Sequence, residues 1–426
     1  MLLKNFSYSI IYKILGMIVS LVMVPILIGL LGVEQYGLWV TLTSLLVWIT
    51  LFDFGLGYAL KNTVSKSLAN SNIKEANIET QQILKVTIFV SITLLLIFVG
   101  MLFLFDIFKQ NFFLASILFI PFIITFPFKT GSPILQGARK IALESGLLFI
   151  NTFLFFLSVS IVNLLDFNIN LTFLALLFVI SYVLSLFLVW INAMKIIQMK
   201  IQDFTTIFDY SIEFKRIKVG LKFFGLQLSS LVLYSIGTVI VFTYLNSVSA
   251  AHYDVLNKIF IFGLSVFNIG IAVFWPEISH HLENKNFPSI RKLYFIMLGL
   301  SIVFSIASFI FTFFASDVIF IWTNSNINIE QEQAIYFAFL VSIQAIAYSG
   351  AVVLNAYEKI TYQLIISIAS TILMIPLAVY LIKMDFGISS IPLAAGILTL
   401  LPALYCNVHA FKLIQKGLLN AKTNNQ

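Results

Sequence analysis

Twelve long apolar runs divide this chain, and no other feature of the sequence restricts its folding as much. They fall at about residues 10–31, 37–60, 84–105, 112–135, 146–165, 171–194, 219–245, 254–276, 293–315, 334–356, 361–382 and 388–411. Each is close to the ~20 apolar residues that a helix needs to cross ~30 Å of hydrocarbon. Backbone polar groups in lipid must pair within their own segment, and no alternating ten-residue strand pattern is present, so every run is predicted to be a helix. The expected fold class is all-α, a polytopic membrane protein of about twelve transmembrane helices. Only 10% of the 426 residues are charged and 60% are apolar, whereas a soluble domain carries ~25% charge.

The placement of charge gives an orientation. One set of alternate connections holds Lys61, Lys66, Lys74 and Lys85, then Arg139 and Lys140, then Lys195 to Lys222, then Lys285, Arg291 and Lys292, with Lys359 in the last. The other set is mainly acidic: Glu34, Asp106, Asp166, Asp254, Asp317, Glu330, Glu332 and Asp385. By the positive-inside rule both termini are expected in the cytoplasm, and the net charge of +7 then reports topology rather than a nucleic-acid partner. Trp39 and Trp322 fall near the outer interface and Trp190 and Trp275 near the inner one, while Trp48 stands outside this belt. The first run is too long for a signal-peptide core and is read as a retained span.

The chain also repeats. Val64-Ser65-x-x-Leu68-x-Asn70-x-Asn72-Ile73 after the second run is echoed by Ile278-Ser279-x-x-Leu282-x-Asn284-x-Asn286-Phe287 after the eighth. Leu135-Gln136-Gly137-Ala138-x-Lys140 is echoed by Leu354-Asn355-Ala356-Tyr357-x-Lys359, and Tyr36 by Tyr253. Six spans return the chain to its starting side, so the halves are expected to be parallel repeats: an N-terminal six-helix lobe at 1–200, a cytoplasmic connector at 201–218 and a C-terminal six-helix lobe at 219–426. Two such bundles facing each other would leave a central cleft, the geometry of a carrier.

No large loop or helical cluster of His, Asp and Glu offers a catalytic centre, so the chain is read as a non-enzyme without metal or cofactor. His280 and His281 are adjacent and point to different helix faces, which makes a poor metal pair. Cys406, the single cysteine, is read as a small buried hydrophobe. A phosphate-cradling glycine-rich loop is absent, so the energy source is expected to be an ion gradient or the substrate's own.

The chemistry must lie in ionisable residues within the runs, where charge is costly. Asp53 stands deep in the second run, in Leu51-Phe52-Asp53-Phe54-Gly55-Leu56-Gly57, and reads either as an ion-coupling group or as a structural cap beside the glycines. Lys129 lies in Pro127-Phe128-Lys129-Thr130-Gly131-Ser132-Pro133, where two prolines and a glycine must interrupt the fourth helix. Lys258 can snorkel to the outer interface or face the cleft. Lys13, Lys61 and Lys222, near the ends of runs one, two and seven, anchor an interface or together form a cationic vestibule. Lys129, Lys258, Lys61 and Lys222 are the candidate substrate-binding residues. A low-dielectric cleft lined by ammonium groups lowers the cost of holding an anion such as a diphosphate, and one open to lipid suits an amphipathic anion with a long tail.

Pro25, then Leu31-Gly32-x-x-x-Tyr36-Gly37-Leu38-Trp39, then Asp53-x-Gly55-Leu56-Gly57 with Val64-Ser65, and Leu135-Gln136-Gly137, resemble polysaccharide repeat-unit flippases. These form the Wzx-like branch of the superfamily that also contains the multidrug and toxic-compound extrusion (MATE) carriers. The resemblance covers the whole chain in span number and repeat, with its motifs in the first ~140 residues. It implies movement of undecaprenyl-diphosphate-linked oligosaccharide from the inner to the outer leaflet of the bacterial inner membrane, for O-antigen or capsule assembly. It also implies a cavity of basic residues, coupling to proton or sodium movement, and a polysaccharide polymerase and chain-length regulator as pathway partners. Asp53 matches the family's Asp-x-Gly-Leu-Gly stretch. The short, acidic outer connections argue against a membrane polymerase or ligase. An ion-coupled antiporter exporting small molecules or drugs is the alternative left open.

Overall fold

The computed structural model describes residues 2–167, 169–199, 214–357, 359 and 361–423, all of it helical or connecting backbone with no strand. Much of the basic connector predicted at 201–218 therefore lies outside the described residues. The chain forms two compact units: Met1–Gln35 with Leu42–Gln227, and Tyr36–Thr41 with Leu228–Gln426.

The first helix, α1 (Leu2–Ile49), has 48 residues, or ~72 Å at 1.5 Å per residue, more than twice the hydrocarbon thickness. It is two spans. Gly32 has φ 74° and ψ 164°, a conformation that glycine alone adopts readily, and it divides residues 2–31 from residues 33–49. The second run then leaves the helix again. Between Ile49 and α2 (Leu56–Ala69) the backbone turns through Thr50–Gly55, with Phe54 at φ 50° and Gly55 at φ 73°. The single helix expected over 37–60 is thus broken near Asp53, where two successive left-handed residues cannot continue it.

In the first unit there follow α3 (Ile73–Leu104), α4 (Asp106–Gln110), α5 (Phe112–Ile124), a 3-10 turn (Phe126–Thr130), α6 (Gly131–Gly137), α7 (Ile141–Leu164) and α8 (Leu171–Ile197). The fourth run breaks where Pro127, Gly131 and Pro133 predict it, and its two halves bend by 47°. The remaining helices are α9 (Phe214–Ser235), α10 (Gly237–Tyr244), α11 (Ser247–Ala272), α12 (Phe274–Glu283), α13 (Phe287–Trp322), α14 (Gln331–Ala356), α15 (Thr361–Lys383) and α16 (Ser390–Thr423). Among the described residues, nine single helices and two bent pairs are long and apolar enough to cross a membrane. Dividing α1 at Gly32 brings the total to the expected twelve.

The packing is that of a protein in lipid. Along α3, Phe89, Ile92, Leu96, Val99 and Phe103 form an exposed stripe, with Phe89 70% and Leu96 69% accessible, while Thr80, Thr87 and Ser91 on the same helix are buried. The spacing of three and four residues keeps the stripe on one face. Apolar groups face outward and small polar groups inward, so the solvent must be hydrocarbon. This is a multi-pass membrane protein.

Each half builds the same turns. Asn72 caps α3 by accepting from Glu75 N–H, and Asn286 caps α13 by accepting from Ser289 N–H. Before them Ser71 and Lys285 have φ 55° and 53°, and the Asn72 and Asn286 amides donate to the Ser67 and His281 carbonyls. The second echo closes likewise, through Lys140 N–H to Leu135 O and Lys359 N–H to Leu354 O. The structure adds a further echo at Asp166-Phe167 and Asp385-Phe386, where both aspartates have positive φ and the phenylalanine amides return to Val162 O and Leu381 O.

Candidate functional site

In the first unit the broken spans meet on a shared core of Leu56, Leu60, Val64, Ile134, Leu135, Val189 and Ala193. Two glycines set the approach. A Cβ on Gly137 would lie 2.6 Å from the Lys61 carbonyl oxygen, and one on Gly131 would lie 3.1 Å from Trp190 Cα. Because α6 packs this closely on α2 and α8, the unwound segments are left beside one another and enclose a cavity.

That cavity measures about 330 Å³, at the small end of ligand sites. Asp53, Lys61, Thr87, Lys129, Ser132 and Gln136 line it, with Leu56, Ile83 and Phe126 as apolar wall. The structure therefore brings three of the sequence candidates, Asp53, Lys61 and Lys129, to one place. Asp53 is fixed by its own turn: Oδ1 accepts from Gly55 N–H at 3.0 Å. A Cβ on Gly57 would stand 3.1 Å from Asp53 Oδ2, so the second glycine of the motif leaves room for the carboxylate.

Lys129 Nζ donates to the Thr50 carbonyl at 3.3 Å and lies 5.6 Å from the centre of the Phe126 ring. An ammonium has three donors, and this arrangement leaves some for a guest. Lys61, one helix turn beyond Gly57 on α2, forms no ion pair among the described residues. Two ammonium groups and one carboxylate give the cavity a net positive charge in a half-buried setting. Such a site favours an anionic guest, with Asp53 in position to compete for the same cations.

Lys258 belongs to the second unit and has its own counter-ion. Its Nζ lies 2.6 Å from Asp254 Oδ2, one turn earlier on α11, and 2.9 Å from the Tyr36 hydroxyl. Tyr36 O–H in turn donates to Asp254 at 2.7 Å, and its ring lies 5.3 Å from the ammonium. Tyr36 is fully buried. A Cβ on Gly37 would overlap the Ser247 carbonyl, so the segment Tyr36–Thr41 rests on the start of α11. The Lys258 side chain keeps 29% exposure, but its charge is largely balanced. Lys222 lies on α9, and its side chain falls outside the described residues. Lys13 is exposed on α1.

Some of the site gave no sequence signal. Glu144 on α7 is 6% exposed and accepts from Ser132 Oγ at 2.9 Å and Gln136 Nε2 at 3.2 Å. It follows the basic pair Arg139 and Lys140 and reads in sequence as an ordinary acid at a helix start. Asp254 carried one hint: it precedes Lys258 by four residues, a pairing distance on a helix.

Known structures share this architecture. An inward-facing multidrug resistance MATE family transporter of the MOP superfamily superposes with a TM-score of 0.74 over 94% of this chain and 95% of its own, at 16% identity. The chain has the MATE fold. An outward-facing structure of a MATE family transporter gives a TM-score of 0.65 over 97% of this chain and 96% of its own, at 15% identity. No family model matches the sequence. Two curated relatives, both named "Putative O-antigen transporter", from Salmonella typhimurium (strain LT2) and Salmonella typhi, are each 39% identical, over 62 and 61 residues. The aligned stretch covers only 14% of either relative. In this MATE-fold chain, then, similarity to solved structures carries the fold over nearly the full length, and similarity to curated sequences is confined to a short segment.

Proposed function

We propose that the protein is a flippase that translocates undecaprenyl-diphosphate-linked oligosaccharide repeat units across the bacterial inner membrane, for O-antigen or capsular polysaccharide assembly, by alternating access. The observation that carries this reading is the half-buried cavity in which Lys61 and Lys129 both face an interior guarded by one carboxylate, Asp53. Such a site suits a diphosphate, whose charge would otherwise be costly to desolvate. The short stretches shared with proteins named as O-antigen transporters support the same substrate class. In this reading Asp53 couples the movement to an ion, Lys258 and Lys222 are further substrate-binding residues, and a polysaccharide polymerase and chain-length regulator are partners.

The test is reconstitution. Purified protein in liposomes should move a fluorescent undecaprenyl-diphosphate oligosaccharide between leaflets, and the variant Lys61→Ala with Lys129→Ala should not. A second reading, an ion-coupled antiporter for small molecules, is favoured by the multidrug transporters that share its fold. Ion-driven uptake of a cationic dye into the same liposomes, with no lipid movement, would select it instead.

A further inference from the structure

Glu144 has no role in the reading above, although it sits directly behind the cavity wall. Its Oε1 accepts from both Ser132 Oγ and Gln136 Nε2, and a carboxylate accepts only. That fixes the polarity of two cavity-lining groups. The single O–H of Ser132 is committed to Glu144, and the Gln136 amide is turned with its nitrogen toward Glu144. Each residue keeps an acceptor that Glu144 does not use, the Ser132 Oγ lone pairs and Gln136 Oε1, and the Gln136 nitrogen keeps its second N–H. Among the described residues neither oxygen accepts another bond.

The cavity thus has two chemically different sides. Lys61 and Lys129 donate and attract an anion, whereas the Ser132 and Gln136 oxygens can only accept. Phosphate oxygens satisfy only the first side, because an acceptor facing an anionic oxygen is repelled. A guest that satisfies both carries hydroxyl donors next to its anionic group. The volume of about 330 Å³ suits one sugar and its phosphate rather than a whole repeat unit, since it lies at the small end of the ~300–1,000 Å³ of pockets for drug-sized ligands.

We propose that this cavity is a glycosyl-phosphate subsite, in which Lys61 and Lys129 hold the phosphate while Glu144, as a positioning residue, aims Ser132 and Gln136 to accept from the hydroxyls of the adjoining sugar. This rests on the flippase reading and names the part of the substrate that the cavity recognises. A hydroxyl-bearing guest should be preferred because a site built to hydrogen-bond such a group leaves buried acceptors unpaired when the group is missing.

The full chain in lipid nanodiscs should bind undecaprenyl diphosphate carrying one hexose about tenfold more tightly than the sugarless lipid, the factor expected of one or two net hydrogen bonds. In Glu144→Gln, where an amide can donate as well as accept and the orientation of both neighbours is lost, the ratio of the two affinities should collapse to about one. A purely structural Glu144 would weaken both lipids together and keep their ratio, and that result overturns the inference, as does equal binding of the two lipids by the unaltered protein. If Glu144→Gln does not fold, Ser132→Ala with Gln136→Met makes the same test of the ratio. Sugarless lipid diphosphate that binds equally well to Lys61→Ala with Lys129→Ala would instead remove the cationic reading beneath it, an outcome separate from the sugar ratio.

Discussion

Lys129 Nζ and the Thr50 carbonyl oxygen lie 3.3 Å apart, and this contact ties together the interruptions of two different spans. Thr50 follows the end of α1, where the helix stops and carbonyls lose their partners. Lys129 sits in the 3-10 turn between α5 and α6. Each break supplies what the other lacks, an acceptor on one side and a donor on the other, and both leave their functional side chains at one cavity.

Replacing Lys129 should therefore separate charge from packing. Lys129→Met keeps most of the stem that packs beside Phe126 but removes the cation, and translocation of the labelled lipid in liposomes should fall tenfold or more, equivalent to ~1.4 kcal/mol. Lys129→Arg should recover part of the rate, because it retains the charge with a different donor geometry. An unchanged rate in Lys129→Met would remove this residue from the substrate path.

Asp53 has two duties that substitution can divide. Its Oδ1 holds the Gly55 amide, and its charge faces Lys129 across the cavity. Asp53→Asn keeps an acceptor for Gly55 while removing the charge, so it should leave the melting temperature nearly unchanged and abolish the dependence of transport on an imposed ion gradient. Asp53→Ala loses the turn contact as well and should cost a further ~1 kcal/mol of stability. Gradient-driven transport by Asp53→Asn at the level of the unaltered protein would leave Asp53 with the structural duty alone.

Much of this architecture was legible in the sequence because lipid simplifies the code. Helical runs, the break at Pro127-Gly131-Pro133 and the Asn72 and Asn286 turns follow from local chemistry that tertiary packing does not override. The break at Thr50–Gly55 was less visible, since Phe54 gives no warning that it will adopt a positive φ. At the site, Asp53, Lys61 and Lys129 were candidates through their cost in hydrocarbon, but their meeting depends on the close packing of Gly137 on α2. Tyr36 could not be linked to Lys258 in advance, because that contact spans more than two hundred residues. Glu144 was hidden for the opposite reason, as an acid at a helix start looks ordinary until its burial is known.

Gly137 offers a test of that packing. A Cβ there would stand 2.6 Å from the Lys61 carbonyl oxygen and 3.0 Å from Val64 Cβ, and backbone on one side cannot yield as a side-chain tip would. Gly137→Ala should force α6 away from α2 and lower stability by ~1–3 kcal/mol, seen as a drop in the melting temperature in detergent. Gly100→Ala is the control, because a Cβ there meets nothing within 4 Å. Equal melting of the two variants would show that the α2 and α6 approach is not tight enough to shape the cavity.

The Lys258 and Asp254 pair makes a prediction that distinguishes a balanced ion pair from a free substrate cation. The two groups are 2.6 Å apart and share the Tyr36 hydroxyl, so each loses its counter-ion when the other is removed. Lys258→Met leaves Asp254 and the buried Tyr36 with a net negative charge, and Asp254→Asn leaves an unbalanced ammonium. Each single change should therefore destabilise more than half as much as the double change, with a coupling energy of ~0.5–3 kcal/mol in a double-mutant cycle of thermal stability. Transport separates the roles. If Lys258 serves mainly to hold Tyr36 against α11, Lys258→Met with Asp254→Asn should transport better than Lys258→Met alone, because removing both charges relieves the uncompensated one. If Lys258 meets the anionic lipid directly, the double variant should be no better than the single one.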